Sequence, residues 1–162
     1  MANQNAPTSQ PRKPERGPVA PRWARRAISW LNVFVYTISK GRMMNKFAGD
    51  PICLVTMTGA KSGRRRTIPL MYVPYRDGVL LVASLGGARS HPLWYHNLVA
   101  HPDVTVLESG RRRHLRARLL AGEERAAAWP VCVEHYAPYA EYQEKTNREI
   151  PVFCCEPVAQ QT

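Results

Sequence analysis

The sequence predicts an α+β, mainly β domain: a small antiparallel barrel of about six strands with peripheral helices. Three observations predict it. Six apolar or alternating runs with many β-branched residues fall at 52–57, 67–75, 79–84, 103–108, 111–120 and 150–156. Several are joined by short glycine-bearing turns, the connection antiparallel neighbours use. The last run arrives after a helical stretch, so it closes a curled sheet rather than extending a doubly wound one.

The 162 residues suffice for one domain with a real core, and 44% hydrophobic with 22% charged residues is a soluble composition. The net charge of +11 is uneven. Residues 1–46 hold nine Lys/Arg and one acidic residue, leaving fourteen and eleven for residues 47–162. Within the globular part the cations gather at 61–66 and 111–118, whereas a nucleic-acid binder spreads them along a face. The spacing of Cys53, Cys132, Cys154 and Cys155 fits no zinc pattern, and vicinal Cys154 and Cys155 point to opposite faces of a strand. Buried free thiols in a reducing compartment are expected, and no secretory signal is visible.

Taken in order, residues 1–21 carry five prolines and few large apolar side chains, so a disordered tail is expected. Residues 22–46 form the next unit. Trp23, Ala27, Trp30, Leu31, Phe34 and Ile38 recur at helical spacing, with Arg22, Arg25 and Arg26 at one end and Lys40 and Arg42 at the other. The apolar run is too short to span a bilayer. The helix either packs on the barrel or lies peripherally on a membrane through residues 22–40. The barrel domain then occupies residues 47–162.

Between the first two strands lies Gly59-Ala60-Lys61-Ser62-Gly63-Arg64-Arg65-Arg66. Glycines allow N–H groups to converge, Lys61 brings a point charge and Arg66 a planar fork. The turn reads either as an anion cradle or as a solvated hairpin tip. It is not a Walker A loop, because Lys61 falls between the glycines and a strand follows. Pro74 implies an edge or bulge in the second strand, and Asp77-Gly78 a two-residue hairpin turn. After Gly86-Gly87, residues 91–100 read as a helix capped by Ser90 or His91 with Pro92 in its first turn. Ser109-Gly110 turns the second hairpin. Residues 123–145 read as helical, interrupted near Pro130 and Pro138.

Three further groups bear chemistry. Ala83-Ser84-Leu85-Gly86-Gly87 ends a strand with a hydroxyl and a backbone that a ligand can approach closely. Trp94 and Asn97 offer an aromatic face and an amide three residues apart, suited to a flat heterocycle. Tyr136, Tyr139 and Tyr142 recur at i, i+3, i+6, on one helix flank, as a pocket wall or as packing. His91, His96 and His101 face different ways and make no metal site. No nucleophilic triad and no dinucleotide fingerprint appear.

In this order Gly-x-Lys-Ser-Gly-x-x-Arg, Pro69-Leu70, Val82-Ala83-Ser84, Pro92-x-Trp94-Tyr95-x-Asn97-Leu98 and His101-Pro102 form one pattern. With Trp129-Pro130, Tyr136, Tyr139, Tyr142, Ile150-Pro151 and Cys155-Glu156-Pro157, it resembles the deazaflavin-dependent nitroreductase family over roughly residues 47–157. The resemblance implies a split β-barrel of the FMN-binding superfamily that binds reduced coenzyme F420. It assigns Ala60, Lys61, Ser62, Arg66, Thr67, Ile68, Pro69, Leu70 and Met71 to the coenzyme, with Lys61 and Arg66 on its phosphate and carboxylate tail. Val82, Ala83, Ser84 and Leu85, with Leu93, Trp94, Tyr95, His96 and Asn97, would flank the ring. Met71, Tyr136, Tyr139 and Tyr142 would meet the acceptor, with Tyr136 or Ser84 stabilising charge on it. Three positions depart from the family: Ala60 where a basic residue is frequent, Leu85 where Lys occurs, and Met71 where the nitroimidazole-reducing member has Tyr.

The implied activity is hydride transfer from reduced F420 to a menaquinone-like quinone or a nitroaromatic. It suits a chain without a nucleophile or metal site, because the coenzyme carries the chemistry. The expected location is cytoplasmic, peripheral on the inner face of the membrane where residues 22–40 bind it. Two alternatives remain: a barrel that holds a deazaflavin, flavin or haem without turnover, and a nucleic-acid binder using Arg64–Arg66 and Arg111–Arg113.

Overall fold

The computed structural model describes residues 46–47 and 50–158. The expected tail over 1–21 and the expected helix over 22–46, Lys46 apart, lie outside the described residues. The strands are β1 (Lys46–Phe47), β2 (Asp50–Thr58), β3 (Arg65–Met71), β4 (Val73–Tyr75), β5 (Gly78–Val82), β6 (Asp103–Glu108), β7 (Arg111–Leu119) and β8 (Val152–Pro157). The helices are α1 (Leu93–Ala100), α2 (Gly122–His135) and α3 (Pro138–Glu144), with a 3-10 turn at Leu85–Gly87.

Every pairing is antiparallel, in the order β1-β2-β6-β7-β8-β5-β4, with β3 also on β2. Only Tyr72 separates β3 from β4. The expected strand 67–75 is therefore one bent strand that changes partner at Tyr72. Before the bend Ile52 faces Met71 on β2, and after it Val73 faces Leu80 on β5. The sheet curls into a split barrel, and β3 keeps one edge without a partner strand among the described residues.

Strand alternation sorts the core into two clusters. Cys53, Val55, Met57, Val79, Leu81, Val106, Phe153 and Cys155 fill the barrel interior. Leu80, Val82, Val152 and Cys154 face the other way, against Ala128 and Cys132 of α2 and Tyr139 of α3. β5 is buried on both faces for this reason. Cys154 and Cys155 fall in opposite clusters as their adjacency requires, and all four cysteines are free and buried.

Several local expectations shift. The first hairpin turns at Arg76-Asp77, since Tyr75 pairs with Gly78 and Arg76 takes φ +50. Gly78 is a strand residue on which a Cβ would collide with the Cys155 carbonyl oxygen, so glycine there permits close strand approach. Ser109-Gly110 does turn the second hairpin, at φ +44 and +83 between paired Glu108 and Arg111. Pro130 sits inside α2 without ending it. The i−4 carbonyl to which it has no N–H to give is that of Ala126, an exposed residue, so its loss there is tolerated. Pro92 occupies the N-cap of α1 and no side chain caps that helix, so neither Ser90 nor His91 does so.

Candidate functional site

The basic turn between β2 and β3 is closed by Gly59 N–H donating to Arg64 O at 2.9 Å and Gly63 N–H to Gly59 O at 2.8 Å. Gly63 takes φ +62, a conformation that favours glycine. Lys61, Ser62, Arg64, Arg65 and Arg66 are exposed, and none of the four cations joins an ion pair among the described residues. The turn is fastened from outside. Asn97 of α1 accepts the Ala60 N–H on its Oδ1 at 2.9 Å. The amide expected to meet a ligand thus holds the cationic turn against the helix that bears Trp94.

Trp94 and Tyr95 are half-buried and pack on Phe153, with ring centroids 6.0 and 5.5 Å away. Tyr95 also stacks on His91 at 4.2 Å. His96 and Leu93 are exposed, Leu93 to 86%. Residues 66–71 alternate along β3. Arg66 and Ile68 stand opposite inward Met57 and Val55, and Leu70 stands opposite Cys53. Thr67, Pro69 and Met71 face the other way; Thr67 Oγ1 lies 2.9 Å from Thr56 Oγ1 and Met71 packs on the second cluster.

Val82 and Ala83 are core residues, so only their backbone is available to a ring. Ser84 is 8% exposed and its hydroxyl makes no hydrogen bond among the described residues. Its carbonyl accepts Gly87 N–H at 3.0 Å. Leu85 is exposed at φ +47 and begins three consecutive left-handed residues with Gly86 and Gly87. Gly87 backs onto α3, where a Cβ would stand 2.6 Å from Tyr142 O.

The three tyrosines do meet, though not along one helix. Tyr136 precedes α3 as the C-cap of α2. Its ring lies 5.0 Å from Tyr139 and its hydroxyl 3.4 Å from that of Tyr142. Tyr139 is 4% exposed and belongs to the core, where burial pushes its phenol well above the ordinary range. Tyr136 and Tyr142 are the more accessible pair, both half-buried.

Cavities of about 320 and 470 Å³ lie along β2, β3, β6 and β7. Thr56, Arg65, Thr105 and His114 line both, and neither is lined by Ser84, Trp94 or a tyrosine. No cluster of three metal-ligating side chains occurs among the described residues.

Sequence reasoning missed three polar residues that tie these parts together. Gln143 Oε1 accepts Ile150 N–H at 2.9 Å, and its Nε2 donates to Arg148 O at 2.8 Å. Arg148 donates into the 83–91 loop. Arg125 is buried, with its guanidinium 4.1 Å from the Trp129 ring centroid and donating to Ile150 O at 3.1 Å. Only Arg125 left a signal: it shares the buried stripe of α2 with Ala128 and Cys132, where an arginine needs partners.

The model of the F420H(2)-dependent quinone reductase family matches residues 29–157. The chain belongs to that family. An F420H(2)-dependent quinone reductase of Mycobacterium tuberculosis (strain ATCC 25618 / H37Rv) is 35% identical over 139 residues, covering 81% of this chain and 93% of the relative. Among solved structures, an F420-H2 dependent reductase (FDR-A) is 50% identical with TM-score 0.62, over 65% of this chain and 94% of that one. A second, described as a domain-swapped dimer, is 44% identical with TM-score 0.64, over 78% and 97%. The protein is accordingly an oxidoreductase that uses reduced F420, and quinone is the acceptor class of its family. Among the described residues, no helix is long and apolar enough to cross a membrane.

Proposed function

We propose that this quinone reductase grips the anionic arm of reduced F420 with the β2–β3 turn and meets its acceptor at Tyr136 and Tyr142. The observation that carries the reading is the Ala60–Asn97 hydrogen bond, which makes the cationic turn and the Trp94 helix one unit. The donor set fits the coenzyme. Lys61 and Arg66, exposed and without an ion pair among the described residues, suit phosphate and carboxylate. Ser62 adds a hydroxyl, and the open edge of β3 offers backbone groups along Thr67–Met71.

When bound, the coenzyme supplies a hydride from the ring carbon that replaces a flavin nitrogen. The chain's residues aim and stabilise. Trp94, Tyr95 and the backbone of Val82–Leu85 would bound the ring, with the exposed Leu93 and His96 beside them. Ser84 and Tyr136 donate hydrogen bonds to acceptor oxygen as negative charge develops there, with Tyr142 orienting Tyr136. Met71 and Tyr139 back that side from the second core cluster. A lipid-soluble quinone is favoured over a nitroaromatic because Leu85 and Leu93 expose apolar side chains, to 51% and 86%. Residues 22–40 are proposed to hold the protein peripherally on the membrane that dissolves such a quinone.

The test is a titration with reduced coenzyme, followed by turnover with a menaquinone analogue, in detergent and in vesicles, and with a nitroaromatic. Lys61→Ala and Arg66→Ala should each weaken coenzyme binding by roughly tenfold, the worth of one charge-assisted contact. Unchanged affinity in both variants overturns the grip. Turnover faster with the nitroaromatic than with the quinone overturns the acceptor.

A further inference from the structure

Arg148 lies between α3 and β8, on a stretch that no motif singles out. Its guanidinium reaches back some sixty residues and gathers one loop. Nε donates to Ala88 O at 2.8 Å, and Nη2 to Ala83 O at 3.1 Å and Ser84 O at 2.9 Å. Nη1 lies 3.3 Å from His91 Nδ1, the ring stacked on Tyr95. A planar fork with five donors can bridge acceptors so spread; an ammonium cannot. Arg148 is itself anchored, since Gln143 Nε2 donates to its carbonyl and Thr146 Oγ1 accepts its N–H at 3.4 Å.

The loop it holds needs holding. Leu85, Gly86 and Gly87 lie at φ +47, +66 and +81. Left-handed backbone is costly for leucine, and this leucine is 51% exposed, so its side chain does not gain the burial that would offset the strain. The carbonyls that Arg148 draws in bracket the strained residues on both sides. The same loop carries Ser84 and touches α3 through Gly87 and Tyr142.

We propose that Arg148 is a positioning residue for hydride transfer: its fork fixes residues 83–88 and so sets Ser84 and Leu85 against the coenzyme ring. The proposal rests on the assignment of residues 82–85 to that ring. It predicts a division of labour in which the basic turn governs affinity and Arg148 governs reactivity once the coenzyme is bound.

The test compares Arg148→Met, which keeps the apolar stem, with Arg148→Lys. In the coenzyme-free protein, amide exchange at Gly87 and Ala88, whose N–H groups bond within the loop, should accelerate by about tenfold or more in Arg148→Met. In single turnovers at saturating coenzyme, hydride transfer should slow by roughly tenfold while coenzyme affinity changes less than about threefold. Arg148→Lys should restore only part of either loss, and it is the variant compared with wild type where Arg148→Met does not fold. Leu85→Gly relieves the strain, so the effect of Arg148→Met should shrink in that background.

Unchanged exchange, or unchanged hydride transfer per bound coenzyme, overturns the proposal. So does full additivity with Leu85→Gly. Failure of the site assignment reads differently: Lys61→Ala and Arg66→Ala would then leave binding intact, whatever Arg148→Met does to amide exchange.

Discussion

Gly86 and Gly87 are neighbours in the left-handed region, and together they separate two costs that a substitution usually mixes. Alanine at either position must hold a positive φ, which costs about 1–2 kcal/mol. Replacing glycine also narrows the unfolded ensemble, which returns about 0.4–1 kcal/mol. Around Gly86 nothing lies within 4 Å of the new methyl, so Gly86→Ala should cost only the difference of the two, about 0–1.6 kcal/mol. At Gly87 the methyl would stand 2.6 Å from Tyr142 O, 2.9 Å from Lys145 Cβ and 3.2 Å from Tyr142 Cα. Two of those atoms are helix backbone and cannot rotate aside. Either α3 moves or the loop opens, and overpacking of this kind adds about 1–3 kcal/mol. Urea unfolding of the two variants, with equal slopes, should place Gly87→Ala below Gly86→Ala by that increment. In a chain of this size each kcal/mol corresponds to about 2–4 °C of melting temperature. Because Tyr142 bonds Tyr136, Gly87→Ala should also slow turnover at saturating coenzyme, and Gly86→Ala should slow it less. Equal stabilities would refute the close approach of loop and helix.

Asn97→Ala removes the acceptor for Ala60 N–H and should lower stability by about 1 kcal/mol. Coenzyme affinity should fall with it in a titration, whereas Asn97→Asp, which keeps an acceptor, should recover most of the stability but still bind an anionic coenzyme more weakly than wild type, because its charge lies beside the cationic turn. Burial pushes the thiols of Cys53 and Cys132 up to about 12 and that of Cys154 up to about 11, and Cys155 rises further. A thiol reagent at pH 8 should therefore label none of the four quickly until urea unfolds the chain, and rapid native labelling would refute their burial. Burial, then the charge of Arg148, then His96 lower the His91 pKa. The unfolded state then binds the extra proton first, so this contribution to stability is present above pH 6.5 and declines as pH falls through the lowered folded value. His91→Gln should flatten that part of a melting-temperature profile against pH.

What could be read from the chain was local. Ser109-Gly110, the burial of Val104, Val106, Leu115 and Ala117, and the split of Cys154 from Cys155 each follow from neighbours a few residues apart, and the structure has them as expected, whereas Leu119 ends exposed and Thr105 is buried between Val104 and Val106. Asp77-Gly78 failed by one residue for a non-local reason: Gly78 is required where β5 crosses the Cys155 carbonyl, so the turn moved back to Arg76-Asp77. The tyrosine spacing was real but its helix was not continuous, since Pro138 starts a new helix after Tyr136. The contacts that tie the candidate site together span 37 residues at Ala60–Asn97 and 60 to 65 at Arg148 with Ala88 and Ala83. No periodicity carries such information, and a single arginine before Ile150-Pro151 looks like any surface charge.

The run Arg66–Met71 poses the sharper problem. Six consecutive residues assigned to one ligand cannot all present side chains to it, because a strand alternates. Arg66, Ile68 and Leu70 stand opposite inward residues of β2, while Thr67, Pro69 and Met71 stand on the other face. A ligand lying against either face would meet half of them. A ligand lying along an unpaired edge would meet the outward backbone groups of alternate residues, and it would reach side chains at the rim on both sides. The bend at Tyr72 creates such an edge, since β4 leaves to pair with β5 while β3 stays on β2. On that assignment the opening in the barrel and the contiguity of the motif would be one feature, with the cationic turn at its mouth because the same strand begins there.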